Sequence, residues 1–172
     1  PVVIPSGSCA HMIRHGYLEL FADEPAWLSR ARRLAERTSE LTEYLVDRLG
    51  RTGFGAASST RVAYHPSCHL LRGLGVDRQP LALLEQVRGL DIMRLEPECC
   101  GFGGVFSIEQ ADLSAAMLER KLAAIEAANV TAVTGCDVSC LMQIEGGLRK
   151  RGSRVRCLHL AQVLAGREPG LR

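Results

Sequence analysis

The chain is organised around one stretch, Glu98-Cys99-Cys100-Gly101-Phe102-Gly103-Gly104. Its two adjacent cysteines cannot both be small core residues, because neighbouring side chains on an extended strand point to opposite faces. The three glycines that follow allow positive φ angles and a close approach of the backbone to a ligand. Two soft ligands and a backbone that can wrap around them indicate a metal or cluster site. Taken alone, the stretch leaves a second interpretation open, a glycine-rich loop with two inert thiols.

The other cysteines favour the metal site. Together with Cys68, Cys136 and Cys140 the pair forms the pattern Cys-x30-Cys-Cys-Gly-x34-Cys-x3-Cys, which is too specific to be an accident of composition. The chain has seven cysteines, an odd number, and neither an apparent signal peptide nor an apolar run as long as a membrane span. We therefore expect a reducing cytoplasm, where clustered cysteines are ligands or redox groups, with membrane association only through partner proteins.

Charge and composition argue against two other classes of function. The chain has 172 residues and a net charge of +2, without a dense basic face that carries aromatic residues. Nucleic acid is therefore not an expected partner. The sequence has neither a Ser/His/Asp set nor paired carboxylates at a suggestive spacing, so hydrolysis has little support.

Strands and helices alternate along the sequence. The apolar patterns predict strands at 2–4, 61–65, 90–95, 130–134 and 155–158. They predict helices after Cys9, over 25–50, after Pro80, from a capping box at Ser107 and Gln110 to Asn129, over 138–151, and up to Gly166. The predicted fold is α/β, a mainly parallel sheet with helices on both faces in a Rossmann-like three-layer arrangement.

This topology brings distant cysteines together. Strand ends converge at one edge of a parallel sheet, where α/β proteins bind their ligands. Five cysteines follow predicted strands at that edge: Cys68, Cys99, Cys100, Cys136 and Cys140. We expect the first three and Cys140 to lie within a few ångströms of one another. Cys140 also falls in the first turn of a helix, where free N–H groups and the helix dipole favour a thiolate.

Three segments carry a resemblance to a known family, namely 65–73 (HPSCHLLRG), 98–106 (ECCGFGGVF) and 140–144 (CLMQI). On these motifs the chain resembles the CCG (cysteine-rich) domain family, over essentially its whole length. The family includes heterodisulfide reductase B subunits, glycolate oxidase iron–sulfur subunits and LutA-type lactate-utilisation iron–sulfur proteins. The last of these branches is the most similar.

The resemblance implies an iron–sulfur electron-transfer subunit of a complex that oxidises a 2-hydroxy acid, L-lactate. The chain would be a non-catalytic or co-catalytic subunit of this oxidoreductase and would work with LutB- and LutC-like proteins. A glycolate oxidase iron–sulfur subunit and a heterodisulfide-reductase-like redox subunit are alternatives within the class. A zinc-stabilised structural or interaction domain without a redox role is the alternative from another class.

The resemblance also implies a ligand set for a cluster of the 4Fe–4S type, cubane or non-cubane. The implied ligands are Cys68, Cys99, Cys100 and Cys140, with Cys136 as a further candidate. In the heterodisulfide reductase subunits the last ligand pair is Cys-x-x-Cys, whereas here Asp137 occupies the first of those positions. Zinc prefers four tetrahedral ligands, often in C-x2-C pairs, so the vicinal pair of cysteines favours an iron–sulfur cluster.

An internal similarity predicts the domain organisation. Residues 2–13 align with residues 133–144, both as strand, turn, Ser-Cys and helix. Convergence on a helix cap is one explanation. Combined with the two-copy architecture of the family, the match instead makes Cys9 the last ligand of an earlier, largely missing repeat. We therefore expect residues 1–60 to be a remnant of the first CCG repeat with a long connecting helix, and 61–172 to be a complete second CCG domain.

Four histidines lie close to these cysteines in sequence. His65 and His69 flank Cys68, and His11 and His15 follow Cys9. They could donate hydrogen bonds or protons to a cluster. We expect them instead to be partly exposed structural residues.

Overall fold

Two parallel sheets form the framework of the computed structural model, which describes residues 1–166. The strands are β1 (Val2–Ile4), β2 (Thr38–Glu40), β3 (Arg61–Tyr64), β4 (Asp91–Arg94), β5 (Ala132–Gly135) and β6 (Arg156–His159). β1 pairs with β2, and the other four form a sheet in the order β4-β3-β5-β6. All four of the strand pairs in these two sheets are parallel. The predicted α/β class is confirmed.

Helices connect these strands and cover the sheet. In chain order they are α1 (Gly7–His11), α2 (Tyr17–Leu20), α3 (Pro25–Arg37), α4 (Leu41–Glu43), α5 (Arg78–Leu84), α6 (Phe106–Glu109), α7 (Ala111–Ala127), α8 (Val138–Lys150) and α9 (Leu160–Leu164). Within residues 1–166 three stretches are π-helical: Met12–Gly16 between α1 and α2, Tyr44–Arg48 after α4, and His69–Gly73 after β3.

The four-stranded sheet has a hydrophobic core on each face. Successive residues of the central strand β3 point to opposite sides, so Tyr64 belongs to one core and Ala63 to the other. The first core includes Leu83 of α5 and Leu160 of α9. The second includes Leu122 of α7 together with apolar residues of α8. Helices therefore pack on both faces, and both central strands are buried, as a covered parallel sheet requires.

The predicted long connecting helix over 25–50 is wrong. Its first part exists, because Pro25 occupies the first turn of α3, where its missing N–H costs nothing. The helix ends at Arg37, since Thr38–Glu40 form a buried strand that pairs with β1. The Glu40 side chain then caps the next helical segment through the backbone N–H of Thr42. A pairing partner more than thirty residues away overrides the local helical pattern here.

The predicted capping box at Ser107 and Gln110 is also wrong. Ser107 lies inside α6, and its hydroxyl donates to the carbonyl oxygen of Gly104. Gln110 precedes α7 without a side-chain capping bond. The helix behind the double cysteine thus begins at Ala111, and it ends just before Asn129, which has a positive φ.

Among the helices of residues 1–166, none is both long enough and apolar enough to cross a membrane.

Candidate metal centre

Four of the predicted ligands meet at the C-terminal edge of the larger sheet. Cys68 follows β3, Cys99 and Cys100 follow β4, and Cys140 lies in the first turn of α8 after β5. β3 is hydrogen-bonded to both β4 and β5, so the three chain segments leave the sheet side by side. The four side chains line one cavity of about 350 Å³.

The remaining wall of this cavity comes from the same loops and from the start of α1. It consists of Ser8, Ser67, His69, Phe102, Gly103, Gly104, Asp137 and Ser139. The cavity is therefore bounded by thiols, hydroxyls, one carboxylate, an imidazole, an aromatic ring and glycine backbone. Such a wall combines several soft sulfur donors with glycine backbone.

The four thiols are close enough to share protons. The pKa of Cys99 is lowered because its sulfur accepts hydrogen bonds from Cys100 and Cys68. A hydrogen bond from Cys100, helped by the nearby His65, likewise lowers the pKa of Cys140, although burial opposes this shift. The pKa values of Cys68 and Cys100 rise correspondingly, since these thiols lie within donating distance of Cys99 and Cys140. The four thiols therefore interact directly, as hydrogen-bond donors and acceptors of one another.

Gly101 fixes the course of the loop behind the double cysteine. Its φ is 86°, and a Cβ atom at this position would collide with the carbonyl oxygen of Ser114 in α7. The Ser114 hydroxyl donates to the carbonyl oxygen of Gly101 at 2.7 Å, and the Gly101 N–H donates to the Cys99 sulfur at 3.4 Å. The glycine therefore holds the loop against α7 and directs one N–H at a ligand sulfur.

Lys121 is a buried cation beside this loop that the sequence analysis did not single out. Its side chain is 1 % exposed, and its ammonium donates to the carbonyl oxygen of Glu96 at 2.9 Å. Burial lowers its pKa, while the nearby carboxylate of Glu98 and the cysteines act in the opposite direction. The sequence contains one sign of this burial, because Lys121 lies next to Leu122 within the apolar stripe of α7.

Asp137 joins the start of the chain to the cavity. Its carboxylate is 2 % exposed and accepts hydrogen bonds from the hydroxyls of Ser6, Ser8 and Ser67 at 2.8, 2.6 and 2.6 Å. The backbone N–H of Ser8 donates to it as well, at 3.2 Å. Although burial opposes ionisation, the hydroxyls of Ser67, Ser8 and Ser6 hold the pKa of Asp137 below its usual value. The carboxylate is therefore charged and already well coordinated by protein donors.

His65 lies deeper than expected. The expectation of a partly exposed histidine is wrong at this position, because His65 is 1 % exposed. One of its ring nitrogens and the sulfurs of Cys100 and Cys140 all lie within 4.8 Å of one another. This His/Cys/Cys group could bind a metal ion.

Three other histidines, His11, His15 and His69, form a cluster beside the cavity. His69 is exposed and lines the cavity. The ring of His11 lies 5.1 Å from that of His69 and 5.0 Å from that of His15, measured between ring centroids. Burial lowers the pKa of His11, and His69 and His15 lower it further.

The structure does not bring Cys136 to the other cysteines. Side chains alternate beyond β5, so Asp137 faces the cavity while Cys136 points into the core that contains Tyr64. Cys136 is 1 % exposed, and burial raises its pKa well above the usual value. Within the described chain it contributes nothing to the cavity wall.

Cys9 also lies outside the cavity. It is exposed and is the third residue of α1, the position that Cys140 has in α8. Ser6 caps α1, its hydroxyl accepting from the Cys9 N–H at 3.3 Å. In residues 1–166 no group of metal ligands forms around Cys9.

The comparisons with known proteins agree with the motifs. Residues 62–145 match the family model of the cysteine-rich (CCG) domain. The chain is 43 % identical to lactate utilization protein A 2 of Bacillus cereus (strain Q1) over 166 residues, which cover 95 % of this chain and 69 % of the relative. It is 42 % identical to lactate utilization protein A 1 of Bacillus anthracis (strain CDC 684 / NRRL 3495), with the same coverage.

A third relative has a less informative name. The uncharacterized protein YkgE of Escherichia coli (strain K12) is 42 % identical over 169 residues, which cover 97 % of this chain and 70 % of the relative. The division into a repeat remnant at 1–60 and a complete domain at 61–172 stays a prediction. The resemblance on which it was based is confirmed: the chain belongs to the lactate utilization protein A family of cysteine-rich (CCG) proteins.

Proposed function

We propose that Cys68, Cys99, Cys100 and Cys140 hold an iron–sulfur cluster of the 4Fe–4S type. The observation that carries this proposal is the convergence of the four side chains on one cavity of about 350 Å³. Thiolates are the usual protein ligands of such clusters, and all four candidate ligands here are cysteines. The donor set therefore fits the group.

The surrounding residues would tune such a cluster. When bound, it would supply a site that accepts and releases single electrons. The N–H of Gly101, directed at the Cys99 sulfur, and the first turn of α8 at Cys140 would stabilise negative charge on the ligands. Phe102 would limit the access of water to one side of the cavity. Hydrogen bonds to the ligand sulfurs, local charge and solvent exposure are the factors by which proteins set the reduction potential of iron–sulfur groups.

We also propose the role of the chain as an electron-transfer subunit in the oxidation of L-lactate. Support comes from the family, whose members are named lactate utilization proteins. In this role the chain would be non-catalytic or co-catalytic and would work with LutB- and LutC-like partners in the cytoplasm. The whole relatives are longer than this chain, so the substrate and the partners are proposals for the complete protein.

Zinc binding is a second candidate function. It is favoured by the His65, Cys100 and Cys140 group, whose ligand atoms are close enough for one ion. In this case the site would stabilise the loops at the sheet edge and would have no redox role. The cavity wall has further sulfur donors, so an ion here would not exhaust the ligands available.

Metal analysis of a matched pair of variants separates the candidates. Cys100→Ser replaces a ligand thiolate by a hard, rarely ionised hydroxyl at nearly constant volume. Cys157→Ser makes the same change at a partly buried cysteine of β6 that does not line the cavity. Full-length proteins are prepared without oxygen, and iron, acid-labile sulfide, zinc and the visible spectrum are measured beside a thermal melt.

The expected result is iron and sulfide in the unaltered protein and in Cys157→Ser, and loss of both in Cys100→Ser with the fold retained. Retention of the fold follows from the two apolar cores, which do not depend on the metal. If Cys100 were only a buried thiol, Cys100→Ser would keep its iron and lose about 1–3 kcal/mol of stability. One zinc per chain, without a visible chromophore even after reconstitution, would refute the iron–sulfur proposal.

A further inference from the structure

His65 is a buried imidazole beside two thiols. It is 1 % exposed, and within residues 1–166 neither of its ring nitrogens has a nitrogen or oxygen hydrogen-bond partner. The Cys140 sulfur interacts with it as a hydrogen-bond partner. A neutral imidazole always has one nitrogen with a free lone pair. A buried imidazole beside two sulfurs, without a nitrogen or oxygen partner, is therefore placed to share whatever those sulfurs bind.

The backbone holds His65 rigidly in this position. Its N–H donates to the carbonyl oxygen of Thr134 at 2.8 Å, which extends the pairing of β3 with β5. The preceding residue, Tyr64, points into the opposite core, so His65 faces the side of the sheet where Cys100 and Cys140 pack. Gly135 makes room for it, because a Cβ atom there would lie 3.1 Å from the His65 carbonyl oxygen.

The position of the imidazole is that of a ligand. One ring nitrogen lies within 4.8 Å of both the Cys100 and the Cys140 sulfur, and these two sulfurs lie within the same distance of each other. Three donor atoms that are mutually this close can bind one metal centre. Asp137, the carboxylate that lines the cavity, does not compete, because three serine hydroxyls and one backbone N–H already donate to it.

We propose that His65 is a nitrogen ligand of the metal group held by the cysteines, so that the site has a mixed imidazole and thiolate ligand set. This inference rests on the metal-binding part of the proposed function and is independent of the identity of the metal. An imidazole is neutral where a thiolate is negative. In iron–sulfur proteins the net charge of the site and the type of ligand set the reduction potential. Beside the four cysteines, His65 would be a further ligand that adds no negative charge, so an iron site would be easier to reduce than one with a fifth cysteine at position 65.

The test is direct detection of the nitrogen in the loaded full-length protein. For iron, pulsed electron paramagnetic resonance of the reduced protein is compared after growth on ¹⁴N- and ¹⁵N-histidine. For zinc, X-ray absorption at the zinc edge measures the ratio of nitrogen to sulfur neighbours. For iron we expect one nitrogen that is strongly coupled to the electron spin and whose signal changes with the isotope. For zinc we expect one nitrogen neighbour beside the sulfur neighbours. This signal should vanish in His65→Gln and persist in His69→Gln, a matched change at the exposed histidine of the cavity wall.

A second variant covers the case in which His65→Gln binds no metal. His65→Cys should restore metal content without the nitrogen signal and should lower the reduction potential of an iron site. A loaded wild-type protein without the histidine nitrogen, or a signal that persists in His65→Gln, overturns the inference while the metal site stands. Zinc with a nitrogen neighbour supports the inference and refutes the iron–sulfur proposal. A protein that takes up neither metal overturns both.

Discussion

Asp137→Asn should destabilise the protein far more than an ordinary removal of surface charge. In the structure the buried carboxylate accepts hydrogen bonds from three serine hydroxyls and from the N–H of Ser8. Hydrogen bonds to a charged group contribute about 1.5–3 kcal/mol each, and those between neutral groups about 0.5–1.5 kcal/mol. Asparagine makes the remaining bonds neutral and turns one acceptor atom into a donor. We therefore expect a loss of about 2–4 kcal/mol in the free energy of unfolding.

The stability difference between the wild type and Asp137→Asn should depend on pH. The folded-state pKa of Asp137 is lowered: burial opposes ionisation, but the serine hydroxyls outweigh it. Its contribution is therefore fully present above the unfolded-state pKa of about 3.9 and decreases as the pH falls below that value. The difference between the wild type and Asp137→Asn should shrink accordingly in acid.

The assay is denaturant unfolding of the metal-free protein at several pH values. Asp23→Asn, at an exposed turn, is the matched control and should change stability by less than about 0.5 kcal/mol. A loss at Asp137 no larger than that of the control would refute this account of the serine network. A difference that stays constant as the solution is acidified would contradict the assignment of a charged carboxylate.

Three further substitutions test the loop, a buried acid and the ligand assignment. Gly101→Ala should lower the free energy of unfolding by about 1–3 kcal/mol and also lower the metal content, because the added Cβ clashes at a residue with positive φ. Gly104 also has a positive φ but open space around it, so Gly104→Ala should lower the free energy of unfolding by only about 1–2 kcal/mol. Burial raises the pKa of Glu40 in the folded protein. The free energy of unfolding of the wild type should therefore decrease as the pH rises above the unfolded-state pKa of about 4.3. Glu40→Gln, measured by denaturant unfolding over the same pH range, should not show this decrease. Cys140→Ala should abolish metal binding, whereas Cys136→Ala should retain the metal and lose only stability. Loss of metal from both variants would show that Cys136 is a ligand as well.

The four-stranded sheet could be predicted because each of its strands is encoded locally. Val62 to Tyr64 and Ala132 to Thr134 are apolar or small residues in short runs, and helical stretches separate them. Right-handed crossovers then place all strand ends at one edge. The placement of Cys68, Cys99, Cys100 and Cys140 around one cavity follows from this topology.

Elements that depend on distant contacts could not be predicted. Thr38–Glu40 form a strand only because β1 offers a partner, and nothing in the spacing of the neighbouring leucines indicates this. The burial of His65 also involves a distant segment, since the backbone of β5 at Thr134 and Gly135 packs directly beside it. Cys136 is a different case. The alternation of side chains beyond β5 predicts that Cys136 and Asp137 face opposite ways, and the sequence alone contained that signal.

The most direct measurement of the central claim is X-ray diffraction from the full-length protein, purified and crystallised without oxygen, at wavelengths on both sides of the iron absorption edge. The account predicts strong anomalous density inside the cavity, in contact with the sulfurs of Cys68, Cys99, Cys100 and Cys140, which appears only above the edge. Anomalous density elsewhere in the molecule, or a signal at the same place that follows the zinc edge, would contradict it.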